Sequence, residues 1–113
     1  MPASQAQNRE DGGAGEKAPL LSLARRLADE GRHAAAMPLY RQVISGGEMR
    51  PQGLVGLGQS LIAMGQIAEA EKTFLLAVRA DKSLAGAYLG LGEVNLAFGR
   101  PELALKQFDL AIA

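Results

Sequence analysis

Residues 51–84 read PQGLVGLGQSLIAMGQIAEAEKTFLLAVRADKSL, and the same pattern stands on either side of them in register. Gly31, Gly65 and Gly99 are spaced by 34 residues both times, and aligning on them brings the surrounding residues into columns that keep their size class. Self-similarity at a fixed period of this length marks a stacked repeat, in which each unit buries its apolar face against the next. In the central unit Leu54, Leu57, Gly58 and Leu61 fall at i, i+3, i+4 and i+7, one face of a helix. Gly65-Gln66 interrupts that helix, and Ala70, Phe74, Ala77 and Val78 mark a second stripe of the same period. The unit is therefore two short helices joined by a tight turn.

The flanking units agree. Leu20, Leu23, Ala24 and Leu27 precede Gly31-Arg32, with Ala36, Tyr40, Val43 and Ile44 after it. Tyr88, Leu91 and Gly92 precede Gly99-Arg100, with Ala104, Phe108, Ala111 and Ile112 following. Small residues at Ala24, Gly58 and Gly92, facing Ala36, Ala70 and Ala104, let paired helices approach closely, and Tyr40, Phe74 and Phe108 fill the wedge between units.

The run of Leu54, Leu57-Gly58, Gly65, Ala70 and Phe74 resembles the tetratricopeptide repeat, whose unit carries a large residue, Leu-Gly or Leu-Ala, then Gly, Ala and an aromatic. The resemblance covers Lys17 to Ala113, as repeats at 17–50, 51–84 and 85–113. It implies an all-α, right-handed superhelix of six helices. It also implies a non-catalytic scaffold whose first helices line a concave groove for a partner segment. The use of Ala, Gly, Leu and Arg has a bacterial look, and the size and style are similar to tetratricopeptide lipoproteins of tight-adherence pilus assembly.

Composition narrows the function classes. Twelve basic and twelve acidic side chains are interleaved, so no cationic stripe offers itself to phosphates, and five aromatics are few for stacking on bases. Nucleic acid is not an expected partner. The absence of cysteine removes disulfides, thiol catalysis and thiolate metal sites. No run of 18 apolar residues exists that could span a bilayer. Met1 to Glu16 is rich in glycine and polar residues, reads as a flexible tail, and lacks the basic start and apolar core of a secretory signal. Cytoplasm and periplasm both stay open.

Neither a metal, nor a cofactor, nor catalysis is expected. His33 is the lone histidine, just after a turn, and reads as a surface residue. Glu69, Glu71 and Glu102 lie among Lys72 and Lys106, as on a solvated face. Asn95 stands in the column of Leu27 and Leu61, where it is expected to reach water at the open flank of the last repeat. Pro38 falls early in a second helix and calls for a late start or a bend. Asp81 reads as the N-cap of the third repeat.

Beside the core stripe of each first helix runs another that also repeats: Leu21, Arg25 and Ala28; Val55, Gln59 and Ile62; Leu89, Glu93 and Leu96. By the resemblance these are groove positions, joined by Ser22, Gly56 and Gly90. Gly56 and Gly90 each disfavour a helix by about 1 kcal/mol relative to alanine. Close approach of a partner backbone, or close packing of successive first helices, would offset that. Arg25, Gln59 and Glu93 form a ladder from positive to negative. The Lys, Asn and Arg clamp by which related domains hold chaperone C-termini is not matched, because Leu21, Arg25, Gly56, Gly86 and Gly90 occupy its places. Leu103, Leu105, Leu110 and Ile112 spread over more than one side of the last helix, and are expected to leave an apolar surface for self-association, such as a homodimer would use.

Overall fold

The computed structural model describes residues 17–113, and the tail expected at 1–16 lies outside them. The described residues form six α-helices: α1 (Lys17–Asp29), α2 (His33–Gly46), α3 (Arg50–Ala63), α4 (Ile67–Ala80), α5 (Ala85–Ala97) and α6 (Pro101–Ile112). Each helix packs on its neighbour in sequence, so the units α1–α2, α3–α4 and α5–α6 stack in a row. The radius of gyration is 15.8 Å, beyond the roughly 13 Å of a compact domain of about 100 residues. The chain is extended because its core is a series of interfaces.

The turn inside each unit is set locally. Gly31, Gly65 and Gly99 have φ of 80°, 81° and 72°, the left-handed region in which a side chain is strained. The N–H after each glycine reaches back to close the helix: Arg32 to Leu27 O at 2.8 Å, Gln66 to Leu61 O at 2.8 Å, Arg100 to Asn95 O at 2.7 Å. The glycine N–H bonds the carbonyl three residues before it in all three turns. This is the Schellman arrangement, repeated three times.

Between units the aromatic column does the joining. A Cβ built on Gly58 or on Gly90 would come closer than 3.0 Å to the Phe74 ring, so the ring is held between the first helix of its own unit and that of the next. Gly56 meets the Tyr40 ring, and Gly92 the Phe108 ring, in the same way. Tyr40 and Phe74 are buried, at 2% and 0% exposure, whereas Phe108 is only half buried, with no further first helix packed on it among the described residues. The helical glycines thus serve internal packing.

Several expectations are corrected by burial. Leu23, of the expected core stripe, is 40% exposed, since no described unit lies before it to cover it, while its counterparts Leu57 and Leu91 are buried. Leu21 is 3% exposed, Val55 half buried and Leu89 46% exposed. The gradient follows from stacking: the next first helix covers this column, as Gly86 covers Val55, and no described first helix covers Leu89.

Asn95 does not reach water. It is 2% exposed, donates from Nδ2 to Leu91 O at 2.9 Å, and accepts at Oδ1 from Arg100, whose guanidinium also pairs with Glu71 and lies over the Phe98 ring. Asp81 ends α4 rather than starting α5, its carboxylate accepting from the backbone N–H and the hydroxyl of Ser83. Those bonds hold its carboxyl below the usual range. Helix α2 starts at His33, with no delay for Pro38, and the proline and Ala34 are both exposed, which leaves the unpaired Ala34 carbonyl to solvent.

Two predictions follow from the aromatic joint. Gly90→Ala should destabilise the chain by about 1–3 kcal/mol through overpacking, although alanine is the better helix former. Adding Phe74→Leu should restore part of that loss, so a double-mutant cycle by urea denaturation should show a favourable coupling. The Tyr40 hydroxyl titrates above the ordinary phenol value of 10.0, chiefly because burial disfavours the phenolate, with nearby Arg25 opposing the rise and Asp29 adding to it. A raised value means that the tyrosine's contribution is whole below pH 10 and is lost as pH climbs through the folded value. Tyr40→Phe should flatten the alkaline fall in stability measured by denaturation above pH 10.

Candidate groove on the first helices

The two helical layers are packed differently. First helices α1, α3 and α5 approach their successors to within 8 Å between Cα atoms, whereas second helices α2, α4 and α6 stand farther apart than that from one another. The stack therefore curves toward the first helices, and their outer stripe lines the concave side.

Of the residues expected there, Ser22 and Arg25 on α1, Gln59 on α3, and Leu89, Glu93 and Leu96 on α5 are exposed, with Val55 and Ile62 half buried between them. Three others are taken up by the interior. Leu21 belongs to the hydrophobic core, and Gly56 and Gly90 face the Tyr40 and Phe74 rings. Their small size admits an aromatic of this chain and leaves no opening for a partner backbone. Leu89 and Leu96 are 46% and 55% exposed, so the apolar part of the groove is widest on α5.

Tyr40 was read only as a wedge. Its hydroxyl lies near enough to Arg25 and Asp29 to feel both charges, which puts a polar group beside the charged end of the groove. Tyrosine in a column otherwise holding Phe74 and Phe108 was the available sign.

At the far end, Leu103, Leu105, Leu110 and Ile112 on α6 are 41%, 62%, 51% and 85% exposed. His33 is half buried and its Nδ1 lies 3.0 Å from the Oγ of Ser60, a residue with no exposure. The imidazole thus satisfies a buried hydroxyl across the first two units, and the reading of His33 as a free surface residue is corrected. No described helix is long and apolar enough to cross a membrane.

Comparison with known proteins agrees with this fold. A family model described as tetratricopeptide repeat matches residues 55–113, and a second of the same description matches 18–42. No curated protein sequence matches the chain. Among solved structures, the type III secretion translocator chaperone SycD of Yersinia enterocolitica, in an alternative dimer, superposes with TM-score 0.77 at 22% identity over 84% of this chain and 72% of that one. The first tetratricopeptide domain of human RPAP3 gives 0.80 at 19% identity, over 88% and 78% of the two chains. The second such domain of Spaghetti (RPAP3), bound to the HSP90 peptide SRMEEVD, gives 0.79 at 16% identity, over 97% and 96%. With its six helices in three stacked pairs and a family match over more than half its length, the chain belongs to the tetratricopeptide repeat family.

Proposed function

We propose that this chain is a non-catalytic scaffold that holds an apolar or amphipathic segment of a partner protein against the groove of Val55, Ile62, Leu89 and Leu96. The observation that carries the reading is the exposure of Leu89 and Leu96 beside half-buried Val55 and Ile62, on helices whose other faces are buried. A helix or extended segment laid there would cover apolar area that the fold itself leaves in water. Arg25 and Glu93, exposed at opposite ends of the groove, give a bound segment its direction. The neighbour's HSP90 peptide is not a natural ligand in this groove, where Leu21, Gly56, Gly86 and Gly90 leave Arg25 as the one cation at the clamp places. A bacterial secretion or pilus-assembly complex is the setting we favour, on the composition and on the likeness to a secretion chaperone.

A second reading is favoured by α6, where Leu103, Leu105, Leu110 and Ile112 are exposed beside a half-uncovered Phe108. This end serves self-association.

Two measurements separate these. Leu89→Arg should reduce partner capture at least tenfold in pull-downs from the source cell while leaving helical circular dichroism unchanged, and Arg25→Ala should weaken binding by under about 1 kcal/mol because the charge is exposed. Equal capture by wild type and Leu89→Arg would end the groove reading. Sedimentation equilibrium over a concentration series should show a dimer that Leu110→Lys or Ile112→Lys dissociates; a monomer throughout would end the second.

A further inference from the structure

The second-helix side of the molecule holds a cleft that the groove reading does not use. Because no Cα of α2 lies within 8 Å of one in α4, a gap of about 290 Å³ opens between their C-terminal ends, floored by α3. Its lining is Ile44 from α2, Arg50 and Leu54 from α3, and Leu76, Arg79 and Ala80 from α4. Leu54 is buried at 6% exposure and Ile44 half buried, while Leu76 is 49% exposed and both arginines are exposed. The volume sits at the low end of ligand sites, about 300–1,000 Å³, and suits a side chain or two rather than a whole helix.

The arginines are what make the cleft more than a packing gap. One repeat further on, the matching positions are Val78 for Ile44, Leu110 for Leu76 and Tyr88 for Leu54, so the apolar columns are kept. Arg50 and Arg79 become Leu84 and Ala113, so the stacking of repeats requires no cation there. Tyr88 instead turns its hydroxyl to Lys82 O at 2.9 Å. Among the described residues neither Arg50 nor Arg79 forms an ion pair, unlike Arg32 and Arg100. Arg50 also stands in the first turn of α3, which has no acidic residue, so its charge opposes the helix dipole. A carboxylate arriving there would meet two unpaired guanidinium groups and the positive end of a helix together.

We propose that this cleft docks a short acidic segment of a partner protein: one aliphatic side chain enters between Ile44, Leu54 and Leu76, and flanking carboxylates pair with Arg50 and Arg79. The chemistry is complementary in both parts, since the floor is apolar and the rim doubly cationic. The site lies apart from the first-helix groove, so both can be filled at once, and neither depends on the other.

The test uses the blocked peptide acetyl-Glu-Glu-Leu-Glu-Glu-amide, with its all-glutamine counterpart as control, titrated into the full chain and followed by methyl and amide NMR spectra. The expected result is saturable shifts at Ile44, Leu54 and Leu76, weakened by added salt. They should weaken about tenfold with the glutamine peptide or in the doubly substituted chain carrying Arg50→Gln and Arg79→Gln. Both arginines are exposed, and an unchanged circular dichroism spectrum would show that this chain is folded. Leu89→Arg should leave the peptide shifts unchanged, which separates this site from the groove. Equal binding of the glutamine peptide, shifts confined to Val55, Ile62 and Leu89, or no shifts at millimolar peptide would each overturn the proposal. Movement of the Ile44 and Leu76 signals on simple dilution of the free chain would assign the cleft to a second copy, and would overturn it too.

Discussion

An aromatic ring pressed between two backbones is the constraint on which the rest of this structure depends. Phe74 rises from α4 and finds Gly58 on one side and Gly90 on the other, both without the Cβ that would strike the ring. That contact fixes the distance between paired helices and the distance to the next pair, since the same ring sets both. A helix interior gives up about 1 kcal/mol for each such glycine, and burial of a large aromatic offsets it. The dependence is visible where the contact is incomplete. Phe108 has Gly92 on one side and no second glycine helix among the described residues on the other, and it stands half buried beside the exposed leucines of α6.

The period, the helix pairs, the turns and the family were legible in the sequence because each is written three times. A column of Gly31, Gly65 and Gly99 needs no tertiary knowledge to be read as three helix ends, and the backbone angles bear this out. Burial was legible in the central unit, where Leu54, Leu57 and Leu61 are all in the core. It failed in the first unit, at Leu23, read as core but exposed, and at Leu21, read as groove but buried, since a repeat pattern describes the average unit while exposure depends on which neighbours a unit has. Gly56 and Gly90 left two readings open because spacing alone cannot tell whether a missing side chain admits a partner or a residue of the same chain.

The polar residues were harder for a related reason. Asn95 in an apolar column, and Ser60 with His33, are partners across turns and across units. Each is an odd residue in its column, and each oddity is answered by another: Arg100 reaches Asn95, and the imidazole reaches Ser60. Single-sequence reasoning flags such departures but cannot pair them, whereas Arg50 and Arg79 depart from the pattern together and find no answer within the described residues.

The difference between the two helical layers also has a mechanical side. With successive first helices close together and α2 and α4 set farther apart, the stack has one closely packed seam and one wider edge. A segment wedged into the wider edge would thus push against fewer contacts than one that had to part the seam.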